Sequence, residues 1–215
     1  MRVGEDACNA AERLKLPTKT PERVSTPSVT DDELVERALR GDSTAFGELV
    51  FRHGQAVYRA ALAALGSGTD AEDVMQEAFM LAFRKLPHFR HDASFKTWLL
   101  TITWRRALRW RHSPARRLGR MVSLENWFSG DIVEHRPTPE QSAASEEIHR
   151  DLIRLIRSLP SRLRDPLLLS ASGRYSYEEL SDILDIPTGT VKWRVSEARR
   201  LLRAKLARLG HGRSS

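Results

Sequence analysis

The stretch from Ser176 to Arg203, SYEELSDILDIPTGTVKWRVSEARRLLR, constrains the fold more than any other part of the chain. Ser176 followed by Glu179 is a capping-box pattern, so a helix starts near Tyr177. Leu180, Ile183 and Leu184 recur at helical spacing until Asp185-Ile186-Pro187 halts the run. A second helix starts around Thr188 to Thr190. Setting its residues at intervals of about 100° puts Val191, Val195, Ala198 and Leu202 on one side. Lys192, Trp193, Ser196, Arg200 and Arg203 fall on the other. A tryptophan opposite the apolar stripe has no core to fill and suits a partner surface. The layout is that of a helix-turn-helix whose second helix enters a DNA major groove. The plainer alternative is an amphipathic hairpin with a solvated basic face, and the rest of the chain must decide between them.

Charge speaks first. The 215 residues carry a net charge of +7, with 40% hydrophobic and 29% charged residues, which suits one or two globular helical domains with a polyanionic partner. Nucleic acid is the first such partner and a membrane surface the second. The basic residues are clustered: seven arginines lie between Arg105 and Arg120 with no acid among them, and seven Lys or Arg lie between Lys192 and Arg208 against Glu197 alone. Two separate basic patches suggest two contacts with one long anion. Cys8 is the only cysteine, so an intramolecular disulfide and a Cys-based zinc cluster are excluded and a cytoplasmic setting is expected. No apolar run approaches the ~18 residues needed to span a bilayer. The N-terminus shows no signal-peptide core. Membrane insertion is not expected.

Along the chain, residues 1–30 are rich in Pro, Thr, Ser and charge without periodicity, and read as a mobile tail. Helical patterning then runs almost unbroken. One helix holds Leu34, Val35, Ala38 and Leu39 and ends at Gly41-Asp42; a longer one runs from Ala45 to about Leu65. Thr69 with Glu72 forms a second capping box, opening a helix that reaches Leu86. A fourth helix runs from Phe95 to about His112. Residues 113–142, with Gly119, Gly130, Pro137 and Pro139, read as a flexible linker. Helices return near Ala143, with a break at Leu159-Pro160. No strand pattern is present, so the expected fold is all-α: two small helical domains, 31–112 and 143–210, joined by a linker, the second a helix-turn-helix.

Two surfaces in the first domain stand out. On the helix 70–86, Val74, Met75, Ala78, Phe79, Leu81, Ala82 and Leu86 cover one half, while Glu72, Asp73, Gln76, Glu77 and Arg84 cover the other with Phe83 among them. An acidic face with an aromatic at its edge is a poor DNA surface and a good protein surface. From periodicity alone it is equally a solvated face favoured by the helix dipole. A di-metal carboxylate site is not supported, since this helix holds no Glu-x-x-His pair. The following segment, PHFRHDASFKTWLLTITWRRALRWR, interleaves aromatics with arginines. Phe95, Trp98, Leu99 and Ile102 form its inner stripe, whereas Trp104 points nearly opposite and Trp110 also lies off the stripe. Rings that stack on unpaired bases beside guanidinium groups that hold phosphates are what a strand-separating surface requires. His, Arg, Asp and Ser of the loop 88–94 suit the edges of an extruded base.

As a set, these segments resemble the extracytoplasmic-function (ECF) group of the sigma-70 family, the dissociable promoter-specificity subunits of bacterial RNA polymerase. DAEDVMQEAFMLAF at 70–83 is similar to the polymerase-clamp-binding helix of region two, and FKTWLLTI at 95–102 to the helix after the loop that reads the promoter −10 element. LPSRLRDPLLL at 159–169 and YSYEELSDILDIPTGTVKWRVSEARRLLR at 175–203 are similar to region four, which reads the −35 element. The resemblance implies that Asp70, Asp73, Gln76, Glu77 and Phe83 engage the β′ clamp helices of core RNA polymerase, and that region four meets the β flap. It implies that residues 88–97, among them Phe89, Arg90, His91, Ser94, Lys96 and Thr97, hold the flipped −10 base. Trp104, Arg105, Arg106 and Arg109 then meet neighbouring DNA. Lys192, Trp193, Ser196, Glu197 and Arg199 fall on −35-contacting positions, and Tyr177, Arg200 and Arg203 join them. Promoter DNA, core polymerase and an anti-sigma factor are the implied partners, with no cofactor and no catalysis.

The chain departs from the family pattern in places. Trp104-Arg105 stands where Arg-Asn is usual, Trp193 where a small Ser is common, and Glu197 where Arg is common. An acid at 197 repels phosphate but accepts from a cytosine amino group, a base contact counting for ~1–3 kcal/mol of discrimination. A helix-turn-helix regulator acting without polymerase is the competing function, but it leaves the acidic face and the 87–111 segment without purpose. An enzyme acting on nucleic acid has little support: no nucleophile–base pair, metal cluster or Gly-rich phosphate loop is visible.

Overall fold

Four of the described helices begin where a side chain, Asp42, Ser67, Ser94 or Ser176, satisfies the first free backbone N–H groups, and those beginning at Ser161 and Thr188 follow a proline instead. The computed structural model describes residues 29–113 and 139–211, with side chains from 147 onward in the second segment. Most of the expected tail, Cys8 included, and most of the 113–142 linker lie outside these residues. Helix α1 (Asp31–Leu39) places Asp31, Asp32 and Glu33 in its first turn, where the dipole favours them. It turns through Gly41 at φ 93°, a left-handed conformation that Gly adopts without strain. Asp42 then caps α2 (Ser43–Leu65), accepting from the Thr44 and Ala45 backbones at 3.0 and 3.3 Å and from the Arg37 guanidinium at 2.7 Å. These donors, the Thr44 hydroxyl foremost, hold its carboxyl at a pKa of about 2.

Helix α3 (Gly68–Lys85) is capped by Ser67, whose hydroxyl accepts from the Asp70 N–H at 3.4 Å. The expected Thr69–Glu72 box gives way to Ser67, because the helix begins a residue ahead of Thr69. A 3-10 turn (Leu86–His88) leads to the 88–94 loop and to α4 (Phe95–Arg111), where the Ser94 hydroxyl accepts from the Thr97 N–H at 3.1 Å. After the second break come α5 (Pro139–Ser158), α6 (Ser161–Ser172), α7 (Tyr177–Leu184) and α8 (Thr188–Arg208). Helix α5 begins ahead of Ala143, inside what the periodicity assigns to the linker. The capping box at Ser176 is formed in both directions, 3.1 Å from the Glu179 N–H to the hydroxyl and 2.8 Å from the Ser176 N–H to the carboxylate. Every regular element among the described residues is helical, and none is long and apolar enough to cross a membrane.

Packing explains which helices read clearly. Helix α2 touches α1, α3, α4 and also α6, and near its C-terminal end Ala60, Ala61, Leu62, Ala63, Ala64 and Leu65 are all buried. A helix apolar all round is one surrounded by others, and small alanines let those neighbours approach closely. Helix α4 is enclosed in the same way by α2 and α3 on one side and α7 on the other. Helix α8 buries only Val191, Val195, Ala198 and Leu202, the stripe expected from its sequence. The two helical halves therefore share one continuous apolar core, and the described residues from Asp31 onward form one compact unit.

Candidate nucleic-acid interface

Helix α8 and the turn before it are built as the sequence implies. The turn before it is held by Asp185 at φ 57° and by the Ser181 hydroxyl, which donates to the Ile186 carbonyl at 2.6 Å. Burial of the Val191 stripe fixes the roll of α8. That roll exposes Lys192, Trp193, Ser196, Arg199, Arg200 and Arg203, with Trp193 59% exposed. The Lys192 ammonium sits 5.5 Å from the half-buried Tyr177 ring. Glu197 is committed within the helix: Arg200 donates to both carboxylate oxygens at 2.8 and 2.7 Å, which pulls the glutamate pKa below the usual carboxylate range. Any base that uses Glu197 as an acceptor therefore shares its carboxylate with Arg200.

The α4 surface differs from expectation in its depth. Phe89 packs among Trp98, Phe95 and His91, with ring centroids 5.0, 6.0 and 4.4 Å away. Beside this cluster a pocket of about 240 Å³ is lined by His88, Phe89, Arg90, Asp92, Thr97 and Trp98, with Asp182 at its edge. Arg90 and His91 are exposed, and His91 lies 3.2 Å from Asp32. Ser94 serves as the α4 cap. Two residues expected to face DNA do not: Thr97 is 3% exposed, its hydroxyl 2.9 Å from that of Ser94, and Trp104 is 1% exposed. Thr97 turns inward with the capped first turn. Trp104 points away from the Phe95–Leu99 stripe as expected, but the second half of the chain covers it there: it lines a cleft with Pro166, Ile183, Leu184 and Ile186.

The basic residues of α4 are mostly paired. Lys96 lies 3.6 Å from Glu179, Arg105 lies 3.3 Å from Asp185, and Arg106 donates to Glu77. Glu77 pushes the Arg106 guanidinium pKa further upward. The Arg106 guanidinium also lies over the Trp110 ring. Arg109 is exposed. Arg111 forms two bonds to Asp165, at 3.1 and 2.8 Å, and donates to the Ala64 carbonyl at 3.3 Å.

On α3, Glu72, Asp73 and Gln76 face solvent and Glu77 is half-buried against Arg106. Asp70 is 2% exposed, so its side chain is set into the first turn rather than presented to a partner. Phe83 is 53% exposed and meets the Phe46 ring edge-on at 4.9 Å. Among the exposed apolar side chains that sequence reasoning passed over are Met80, beside Phe83, and Phe51 on α2. Phe51 is detectable as a large apolar residue off the Ala45–Leu49–Val57 stripe.

Two family models match the chain: Sigma-70 region 2 over residues 49–117 and Sigma-70, region 4 over residues 149–202. The chain is 37% identical over 182 residues to the ECF RNA polymerase sigma-E factor of Escherichia coli K12, covering 83% of this chain and 95% of that protein. This chain belongs to the ECF sigma factors of the sigma-70 family. The sigma-E factor of Haemophilus influenzae is 34% identical over 182 residues, covering 83% and 96%. The structure of CnrH in complex with the cytosolic domain of CnrY superposes with a TM-score of 0.58 at 27% identity, covering 82% of this chain and 97% of that one. The sigma factor RpoE in complex with the anti-sigma factor NepR from Bartonella quintana shares the fold, with a TM-score of 0.53 at 23% identity over 75% and 96% of the two chains. The ECF sigma factor's function is promoter-directed initiation by RNA polymerase, and action without polymerase is not favoured.

Proposed function

We propose that this sigma factor divides its work among three surfaces and performs no chemistry of its own. Helix α8 reads the −35 duplex through Lys192, Trp193, Ser196, Arg199, Arg200 and Arg203, with Tyr177 steadying Lys192. The 88–94 loop and its pocket, with Phe89, Arg90 and His91, hold an unpaired −10 base, and Lys96, Arg105, Arg106 and Arg109 meet phosphates. Asp73, Gln76, Glu77 and Phe83 on α3, joined by Met80, dock on the β′ clamp helices, and the 143–210 domain meets the β flap. Residues 31–112 and 143–210 act as the two functional domains. The protein works in the cytoplasm and is held by an anti-sigma factor, as CnrH and RpoE are each seen in complexes of their own.

The observation that carries this reading is the separation of charge. An acidic, aromatic-edged face is exposed on α3 and a basic, tryptophan-bearing face on α8 of the same chain, while the basic residues of α4 lie mostly paired with acidic side chains. A duplex-binding regulator has no use for the first. In vitro transcription with core polymerase on a pool of genomic fragments, followed by sequencing of transcript 5′ ends, tests it. Discrete starts preceded by a shared two-block motif are expected. No starts, with tight binding of the protein alone to duplex DNA, would overturn it.

A further inference from the structure

Trp193 is the one large apolar side chain exposed on α8, and no contact within the described chain accounts for it. None of the ring or cation–π contacts among the described residues involves it. Its neighbours on the helix surface leave it standing clear. One turn earlier Gly189 has no side chain, and a Cβ built there would meet nothing within 4 Å. One turn later Ser196 is small, and the Glu197 carboxylate is held by Arg200. Lys192, next to it in the chain, lies over the Tyr177 ring. The indole therefore projects alone from the N-terminal part of α8, the part of a recognition helix that meets base edges.

The chemistry of a duplex restricts what such a ring can touch. The surrounding Lys192, Arg199, Arg200 and Arg203 commit this face to a polyanion. The base faces of an intact duplex are closed by stacking, and its phosphates take cations and N–H donors. On the floor of the major groove the apolar group on offer is the C5-methyl of thymine. The indole Nε1 is a donor without an acceptor lone pair, so its hydrogen bonding alone would select a purine N7, a guanine O6 or a thymine O4. The ring carries far more apolar surface than that single N–H.

We propose that Trp193 covers the C5-methyl group of a pyrimidine in the −35 element, which makes this sigma factor depend on a thymine at that step. This rests on the reading of α8 as the −35 helix. Because the methyl is the group read, 5-methylcytosine presents it as thymine does. A cytosine at that step becomes a better site when its C5 carbon is methylated.

The test uses the full chain assembled with core polymerase, on a promoter selected from a duplex randomised over the −35 element. Each thymine of the selected element is replaced in turn by deoxyuridine, which removes the methyl and keeps the pairing and the O4 acceptor. One such replacement should weaken competitive binding by about fourfold, the contribution of one buried methyl. At the same step 5-methylcytosine should bind about fourfold better than cytosine. Trp193→Ala should level both comparisons, and Trp193→Phe, which keeps an apolar ring without the N–H, should preserve them. A selected element without thymine, no effect of any uracil, or a methyl effect that survives Trp193→Ala would each overturn the proposal. If a 7-deazapurine weakens the wild type and not Trp193→Ala, while no uracil matters, the indole reads a purine acceptor instead and α8 keeps its place on the −35 element. If Lys192→Ala, Trp193→Ala and Arg203→Ala together leave the selected sequence unchanged, the assignment of α8 itself fails and the proposal falls with it.

Discussion

Helices α4 and α8 both carry arginines and an off-stripe tryptophan, yet the structure treats them oppositely. On α8 Trp193 is exposed and most of the cations face solvent; on α4 Trp104 is buried and Lys96, Arg105, Arg106 and Arg111 each have an acidic partner. The difference lies in the number of neighbours. Helix α8 lies against α5, α6 and α7 along one stripe, whereas α4 is enclosed between α2 and α3 on one side and α7 on the other. A basic sequence is therefore not the same thing as an available basic surface, and a tryptophan off an apolar stripe marks a second contact without saying whether that contact is intramolecular.

The comparison can be isolated from polymerase docking first. Reversing Asp73 and Glu77 to Lys together should abolish association with core polymerase in a pull-down. The circular dichroism of the protein and the DNA binding of α8 should be unchanged; normal association would mean the α3 face is only solvated. The two tryptophans then test the comparison itself. Trp104→Ala should cost about 3–5 kcal/mol of stability in urea unfolding, as large buried aromatics do. Trp193→Ala should stay within about 0.5 kcal/mol, as an exposed side chain does. Equal losses would break the distinction between the helices.

A finer effect concerns what α8 reads. Lys192→Ala and Trp193→Ala should each shift −35 preference at their own base positions by about 1–3 kcal/mol, measured by selection from a randomised duplex, and spare core binding. Unchanged selection in both would remove α8 from promoter reading. The smallest effect is expected at Glu197→Gln, which loses one partner of the Arg200 pair. Stability should be unchanged, while Arg200, freed from the carboxylate, strengthens duplex binding with a steeper salt dependence. Because the Glu197 carboxyl is held below its usual range, the wild-type pair is intact above the ordinary glutamate pKa and is lost only as pH falls below it.

What was legible in the residues follows from how each helix is buried. The Val191–Leu202 stripe and the Ser176 capping box could be read directly, because one-sided burial leaves a 3.6-residue period and a cap needs only local partners. The exposed acidic face of α3 was legible for the same reason. Asp70 and Thr97 were not: each sits in the first turn of its helix, where polar residues are common, and only packing decides whether they point in or out. Trp104 was misread in its exposure and not in its direction, since its cover comes from residues 166–186, far along the chain.

The sequence by itself determined the helical class, the Ser176 capping box, the family and the sign of each surface, because these rest on spacing and charge within a few residues. Only the tertiary structure decided which cations are free, which tryptophan is core, and that α7 lies on α4. Those outcomes depend on pairs such as Arg105 with Asp185 and Arg111 with Asp165, brought together across the chain by the shared apolar core rather than by any local pattern.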